Sequence, residues 1–189
     1  MTVYDFDAML LYSRGKRELT DMDTIVALID GCIGVTKTDA VTDRTGVDYV
    51  ATLRRGAKLF IDAKTRTPGC SRFWRFGPEL ALEKWSVRPE NGRQGKTGWT
   101  LSEESVVHYI LFTFDPSDTK EVFLYPFQLL RMAFRRNLNA WTNKGYKTDI
   151  QNSGHWRSEC LFVPESVVWN SIHNVMRISA PFRPTEVGT

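Results

Sequence analysis

TGVDYVATLRRGAKLFIDAKTR, residues 45–66, is the stretch on which the reading of the chain turns. Val47 to Leu53 and Leu59 to Ala63 are rich in β-branched, aromatic and apolar residues, which predicts two strands. Arg54-Arg55-Gly56 between them suits a three-residue hairpin loop with glycine where positive φ is needed. That loop sets a register. With Leu53 opposite Ala57, Asp48 faces Asp62, and Lys64 shares the face of Asp62 because side chains alternate with period two. Tyr49, Ala51, Leu53, Leu59, Ile61 and Ala63 then form the opposite, apolar face and point to the core.

Two carboxylates facing each other across a hairpin repel unless something compensates. A divalent cation such as Mg²⁺ does so, since hard cations take carboxylate oxygen and keep several waters. An ammonium group two residues along would orient a water or stabilise developing negative charge. An ordinary solvent-facing hairpin, with Lys64 screening the two acids, accounts for the same row.

Gly46-Val47-Asp48-Tyr49 followed by Ile61-Asp62-Ala63-Lys64 resembles the core of the PD-(D/E)XK nuclease superfamily, in which an Asp begins one strand and an acidic-X-Lys triplet ends the next. Val47 stands where that pattern has proline, and the match covers about 20 residues. The resemblance implies a restriction-endonuclease-like fold, a mixed central β-sheet flanked by α-helices in the α/β (α+β) class. It also implies metal-dependent hydrolysis of DNA phosphodiester bonds, with Mg²⁺ or Mn²⁺. Asp48, Asp62 and Lys64 would be catalytic, and Asp48, Asp62 and the Ala63 carbonyl would hold the metal. A helix before the strands often supplies a further acid in that superfamily, which makes Glu18 a candidate ligand, with Asp43 as another.

Composition sets the frame. At 189 residues, with 42% hydrophobic and 25% charged residues, the chain fits one globular domain, 1–189, with its core over about 16–180. A net charge of +3 permits nucleic-acid binding without demanding it. Cys32, Cys70 and Cys160 are widely spaced and odd in number, arguing against zinc and a disulfide framework and for a reducing interior. No signal-like segment or bilayer-length apolar run is present, so the expected location is cytoplasmic, away from membranes.

Along the chain, helices are expected over 4–12 and 21–30, the second stopped by Gly31, then a strand over 35–41. After the hairpin, Arg72-Phe73-Trp74-Arg75-Phe76 interleaves bases with aromatics, and residues 78–85 read as a short helix with Glu79 and Glu83 one turn apart. Residues 86–99 carry three glycines with Arg88, Arg93 and Lys96 and read as a mobile basic loop. Val106 to Phe114 is a strand, with His108 read as a satisfied core histidine, and Glu121 to Tyr125 is its antiparallel partner. A helix over 127–141 presents Arg131, Arg135 and Arg136; a short strand opens near Gly145, a last strand covers 159–164, a closing helix follows, and 181–189 forms a loose tail.

Arg72, Arg75, Arg88, Arg93, Lys96, Arg131 and Arg135 are the candidate contacts to DNA, taken as double-stranded. Cutting both strands needs two sites, which a homodimer supplies. The alternative from another class is a non-catalytic module, binding nucleic acid or protein on the same fold, of phage or mobile-element origin. A nucleotide-binding loop, a nucleophile elbow and a His/Cys metal cluster are all missing from the sequence, which counts against a metabolic enzyme.

Overall fold

The computed structural model describes residues 21–39, 45–66, 74–75, 77–90, 92, 94–114, 121–152 and 157–177. Glu18, Asp43, Arg72 and Arg93, the helix expected over 4–12 and the tail over 181–189 lie outside these residues. The chain is a mixed α+β protein whose residues group into two compact units. The first comprises Met1–Trp74 and Glu103–Phe127, the second Arg75–Ser102 and Gln128–Thr189.

The first unit holds a five-stranded sheet built from β1 (Cys32–Lys37), β2 (Tyr49–Leu53), β3 (Lys58–Thr65), β6 (Tyr109–Phe114) and β7 (Glu121–Pro126). They lie side by side in that sequence, β1-β2-β3-β6-β7. β3 and β6 run parallel and every other neighbouring pair is antiparallel, so the sheet is mixed. β1 starts three residues earlier than Val35, the expected first residue. Tyr49, Ala51 and Ile61 on one face are buried and pack with Ile25 and Ile29 in and just after α1 (residues 21–28), together with Val35 and Leu111. The apolar face expected from the period-two alternation is therefore the face that carries this core.

The β2–β3 hairpin closes as its sequence dictates. Leu53 N–H donates to Ala57 O at 2.9 Å, and Gly56 N–H returns to Leu53 O at 2.8 Å. Gly56 has φ of 79°, and a Cβ there would meet nothing within 4 Å. The cost of Gly56→Ala is therefore backbone strain alone, about 1–2 kcal/mol. It is expected as a lower urea midpoint at unchanged slope.

The second unit holds an antiparallel four-stranded sheet built from β4 (Glu79–Val87), β5 (Lys96–Thr97), β8 (Thr148–Asn152) and β9 (Arg157–Pro164). Its spatial order is β5-β4-β9-β8; in sequence the helix α2 (Phe127–Asn143) precedes β8 and the helix α3 (Glu165–Arg177) follows β9. This sheet corrects the expected helix over 78–85. Leu80 and Leu82 are fully buried two residues apart, a strand period, and they pair with Val163 and Leu161. Glu79 and Glu83, whose spacing suggested a helical turn, lie instead in β4. Within residues 86–99, Ser86 and Val87 complete β4, Lys96 and Thr97 form β5, and a 3-10 turn begins at Trp99. Among the described residues no helix is long and apolar enough to cross a membrane.

Candidate metal centre

The register that closes the hairpin continues to its open end. Tyr49 pairs with Ile61, which places Asp48 opposite Asp62 one step beyond the ladder. Asp48 N–H donates to Ile61 O at 2.9 Å, and its own carbonyl is held by Thr38 N–H at 2.9 Å and Thr38 Oγ at 3.1 Å. The backbone carrying the first carboxylate is thus fixed on both sides.

Asp48 Oδ2 accepts the Ala63 N–H at 2.6 Å, so the side chain takes over where the strand pairing ends. The N–H and C=O of one strand residue project to the same edge, which directs the Ala63 carbonyl toward Asp48 as well. Asp62 is buried and lies in register with the apolar, fully buried Ile110 of β6. Lys64 Nζ donates to Asp62 Oδ1 at 2.7 Å and remains one-third exposed.

The electrostatics follow from this packing. Burial, the dominant cause, pushes the Asp48 carboxyl above its ordinary value. The charge of Asp62 and a hydrogen bond between the two carboxyl groups push the same way, against the Ala63 N–H and the Lys64 ammonium. The charge of Asp62 beside Asp48 is the kind of repulsion that a bound cation would relieve.

The donor set, two facing carboxylates and a carbonyl aimed at the same edge, suits Mg²⁺, which takes one or two carboxylates and fills its octahedron with water and phosphate oxygens. Among the described residues no group of three or more His, Cys, Asp and Glu side chains that could hold a metal ion is assembled.

Asp48, Asp62, Ala63 and Lys64 are therefore brought together as expected, all within the first unit. The described basic candidates all belong to the second unit. Arg88 Nε contacts Glu159 at 3.2 Å, beside a Lys84–Glu159 pair of equal length. Arg131 donates to Ser102 O at 2.7 Å and to Gln128 Oε1 at 2.6 Å. Arg75, Lys96 and Arg135 are exposed.

His108 is satisfied but is not a core residue. It precedes β6 by one position, its side chain is exposed, and its Nδ1 accepts the Phe60 N–H at 3.0 Å. The apolar run Val106 to Phe114 suggested a buried position because it reads as one strand, whereas the strand starts at Tyr109. No protein-family model, curated protein or solved structure matches this chain.

Proposed function

We propose that the protein is a Mg²⁺- or Mn²⁺-dependent deoxyribonuclease of the PD-(D/E)XK type, with a restriction-endonuclease-like first unit. The observation that carries this reading is the facing pair Asp48 and Asp62, with Ala63 N–H on one carboxylate and Lys64 on the other. The placement agrees with the motif. Asp48 stands immediately before β2, and Asp62-Ala63-Lys64 lies near the end of β3, in a mixed sheet.

In this reading Asp48 and Asp62 hold the cation, with the Ala63 carbonyl as a further ligand and Glu18 as the candidate third carboxylate. When bound, such a cation supplies Lewis-acid chemistry, polarising a phosphoryl oxygen and activating water at neutral pH. Lys64 presents an ammonium beside Asp62, placed to orient the attacking water and to offset negative charge as it develops on the phosphate. The Ala63 N–H keeps Asp48 aimed at the same point, so the site is organised before substrate arrives.

The test is cleavage of supercoiled, linear and branched DNA with Mg²⁺, Mn²⁺ or EDTA. Cleavage is expected with either metal and none in EDTA, and Lys64→Ala should slow it by about 10²–10³-fold. Tight DNA binding that ignores EDTA, with no cleavage of any form, would replace this reading by that of a binding module on the same fold. The gathering of only two carboxylates among the described residues is the observation that favours that second reading.

A further inference from the structure

The face of β3 that carries Asp62 and Lys64 continues toward the hairpin tip with different chemistry. At strand period it reads Lys58, Phe60, Asp62, Lys64, and beyond Lys58 the chain turns through Arg54 and Arg55. Lys58, Arg54 and Arg55 are all exposed, and no acidic residue occurs from Arg54 to Ile61. Lys64 and Lys58 lie six positions apart on the strand, roughly 20 Å at about 3.3 Å per residue.

The parallel pairing of β3 with β6 adds a neighbour that the hairpin alone does not contain. With Ile61 in register with Tyr109, His108 stands beside Phe60, and the two rings lie 5.3 Å apart at 48°. His108 N–H donates to Phe60 O at 2.8 Å, and Phe60 N–H donates to His108 Nδ1 at 3.0 Å, so ring and backbone are clamped together. With Nδ1 acting as acceptor, the ring hydrogen belongs on Nε2, the nitrogen left to contact a ligand. The result is a half-buried aromatic ring and an oriented N–H donor one strand period from Asp62, followed by three exposed cations.

We propose that Phe60 and His108, continued by Lys58, Arg55 and Arg54, form the track along which a DNA strand leaves the Asp48–Asp62 site. This rests on the nuclease reading for the position of the scissile bond, and it names the surface that holds the flanking nucleotides. Phe60 packs against the base or sugar of the neighbouring nucleotide, and His108 Nε2–H donates to its phosphate. Lys58 and the two arginines neutralise the phosphates that follow, along the hairpin tip. The shared chemistry is that of a nucleotide strand, which either single-stranded or duplex DNA presents.

The test measures binding of short fluorescein-labelled DNA, single-stranded and duplex, by anisotropy across a salt series. The full chain carrying Asp62→Asn serves as the parent, so that nothing is cut. Combined Arg54→Ala, Arg55→Ala and Lys58→Ala should lower the slope of log K against log salt by about two to three, because each lost phosphate contact removes nearly one counterion. Phe60→Ala should weaken binding roughly tenfold with the slope unchanged, since stacking is not ionic.

His108→Asn keeps an acceptor for the Phe60 N–H while removing the ring and its Nε2–H. It should lose affinity at an unchanged thermal midpoint, which a purely structural histidine would not do. Whichever DNA form shows these losses more strongly is the form the track carries. Cleavage by the wild-type chain together with undiminished binding by all three variants would overturn the track and leave the nuclease reading standing. Binding losses in these variants, with a wild-type chain that cuts nothing, would sustain Phe60, His108 and the three cations as a DNA-binding surface and remove the nuclease reading. Failure of the parent to bind DNA of either form would overturn the track outright.

Discussion

On the nuclease reading, Asp62→Asn should leave the protein folded and reduce Mg²⁺-dependent DNA cleavage by three or more orders of magnitude. The size of the loss follows from what the charge does. A Lewis-acid cation contributes several kcal/mol to the stabilisation of a phosphoryl transition state, and each step of about 1.36 kcal/mol is a factor of ten in rate. Asp62 is buried beside Ile110 and faces Asp48. Replacing one of these two carboxylates by a neutral amide would remove one of the negative charges that would recruit the cation. The fold should tolerate the change. An asparagine retains an oxygen able to accept from Lys64 Nζ, now at 2.7 Å, and Lys64 is exposed enough to be hydrated if that bond lengthens. Single-turnover cleavage at saturating Mg²⁺, beside a thermal melt, separates the two effects. A folded variant that cuts at the wild-type rate would remove Asp62 from the chemistry.

The hairpin and the facing of Asp48 and Asp62 were legible because every signal in them is local. Gly56 supplies the positive φ, Leu53 and Ala57 close the loop, and alternation carries Asp48 opposite Asp62 along one short hairpin. The second sheet was not legible in the same way. β4 finds its partner in β9, some 70 residues later, and periodicity within either segment says nothing about that pairing. In β4 the local signal was also mixed, with Glu79 and Glu83 at helical spacing and Leu80 and Leu82 at strand spacing. Burial of the two leucines decided for the strand.

His108 shows the same limit at the scale of one residue. The run from Val106 hides that the strand begins only at Tyr109, and the clamp on Phe60 requires the parallel register with β3. The row Lys58, Phe60, Asp62, Lys64 could be read from alternation, but its aromatic neighbour could not. Sequence reasoning reached the carboxylates and missed the surface beside them. The first depends on one turn, and the second on a crossover that separates Phe60 from His108 by 48 positions.

Asp48→Asn should change stability in opposite directions with and without a divalent cation. The wild-type sign is fixed by the raised Asp48 carboxyl. A carboxyl whose folded pKa lies above its unfolded value binds more protons in the folded state. Its contribution to stability is complete below the unfolded value, near 3.8, and is lost as pH rises through the folded value. In EDTA, the contribution of this group to wild-type stability should therefore fall on going from acid toward neutral pH. The amide introduced by Asp48→Asn cannot ionise. Its oxygen can keep the Ala63 N–H bond and its NH₂ can donate to Asp62, so the variant loses this pH dependence and melts higher than wild type at neutral pH. Each kcal/mol of relieved charge burial and repulsion is worth roughly 2–4 °C in a chain of this size. If the proposed site holds Mg²⁺, adding the cation should reverse the order. Wild type would gain RT ln(1 + [L]/Kd), about 2.7 kcal/mol at a hundredfold excess over Kd, or roughly 5–10 °C. The variant, with one carboxylate fewer, should gain little. Thermal melts of both proteins in EDTA and in Mg²⁺, at several pH values, read all of these effects without any assay of cleavage. If wild type and variant respond identically to Mg²⁺, Asp48 is no metal ligand, whatever the protein does to DNA.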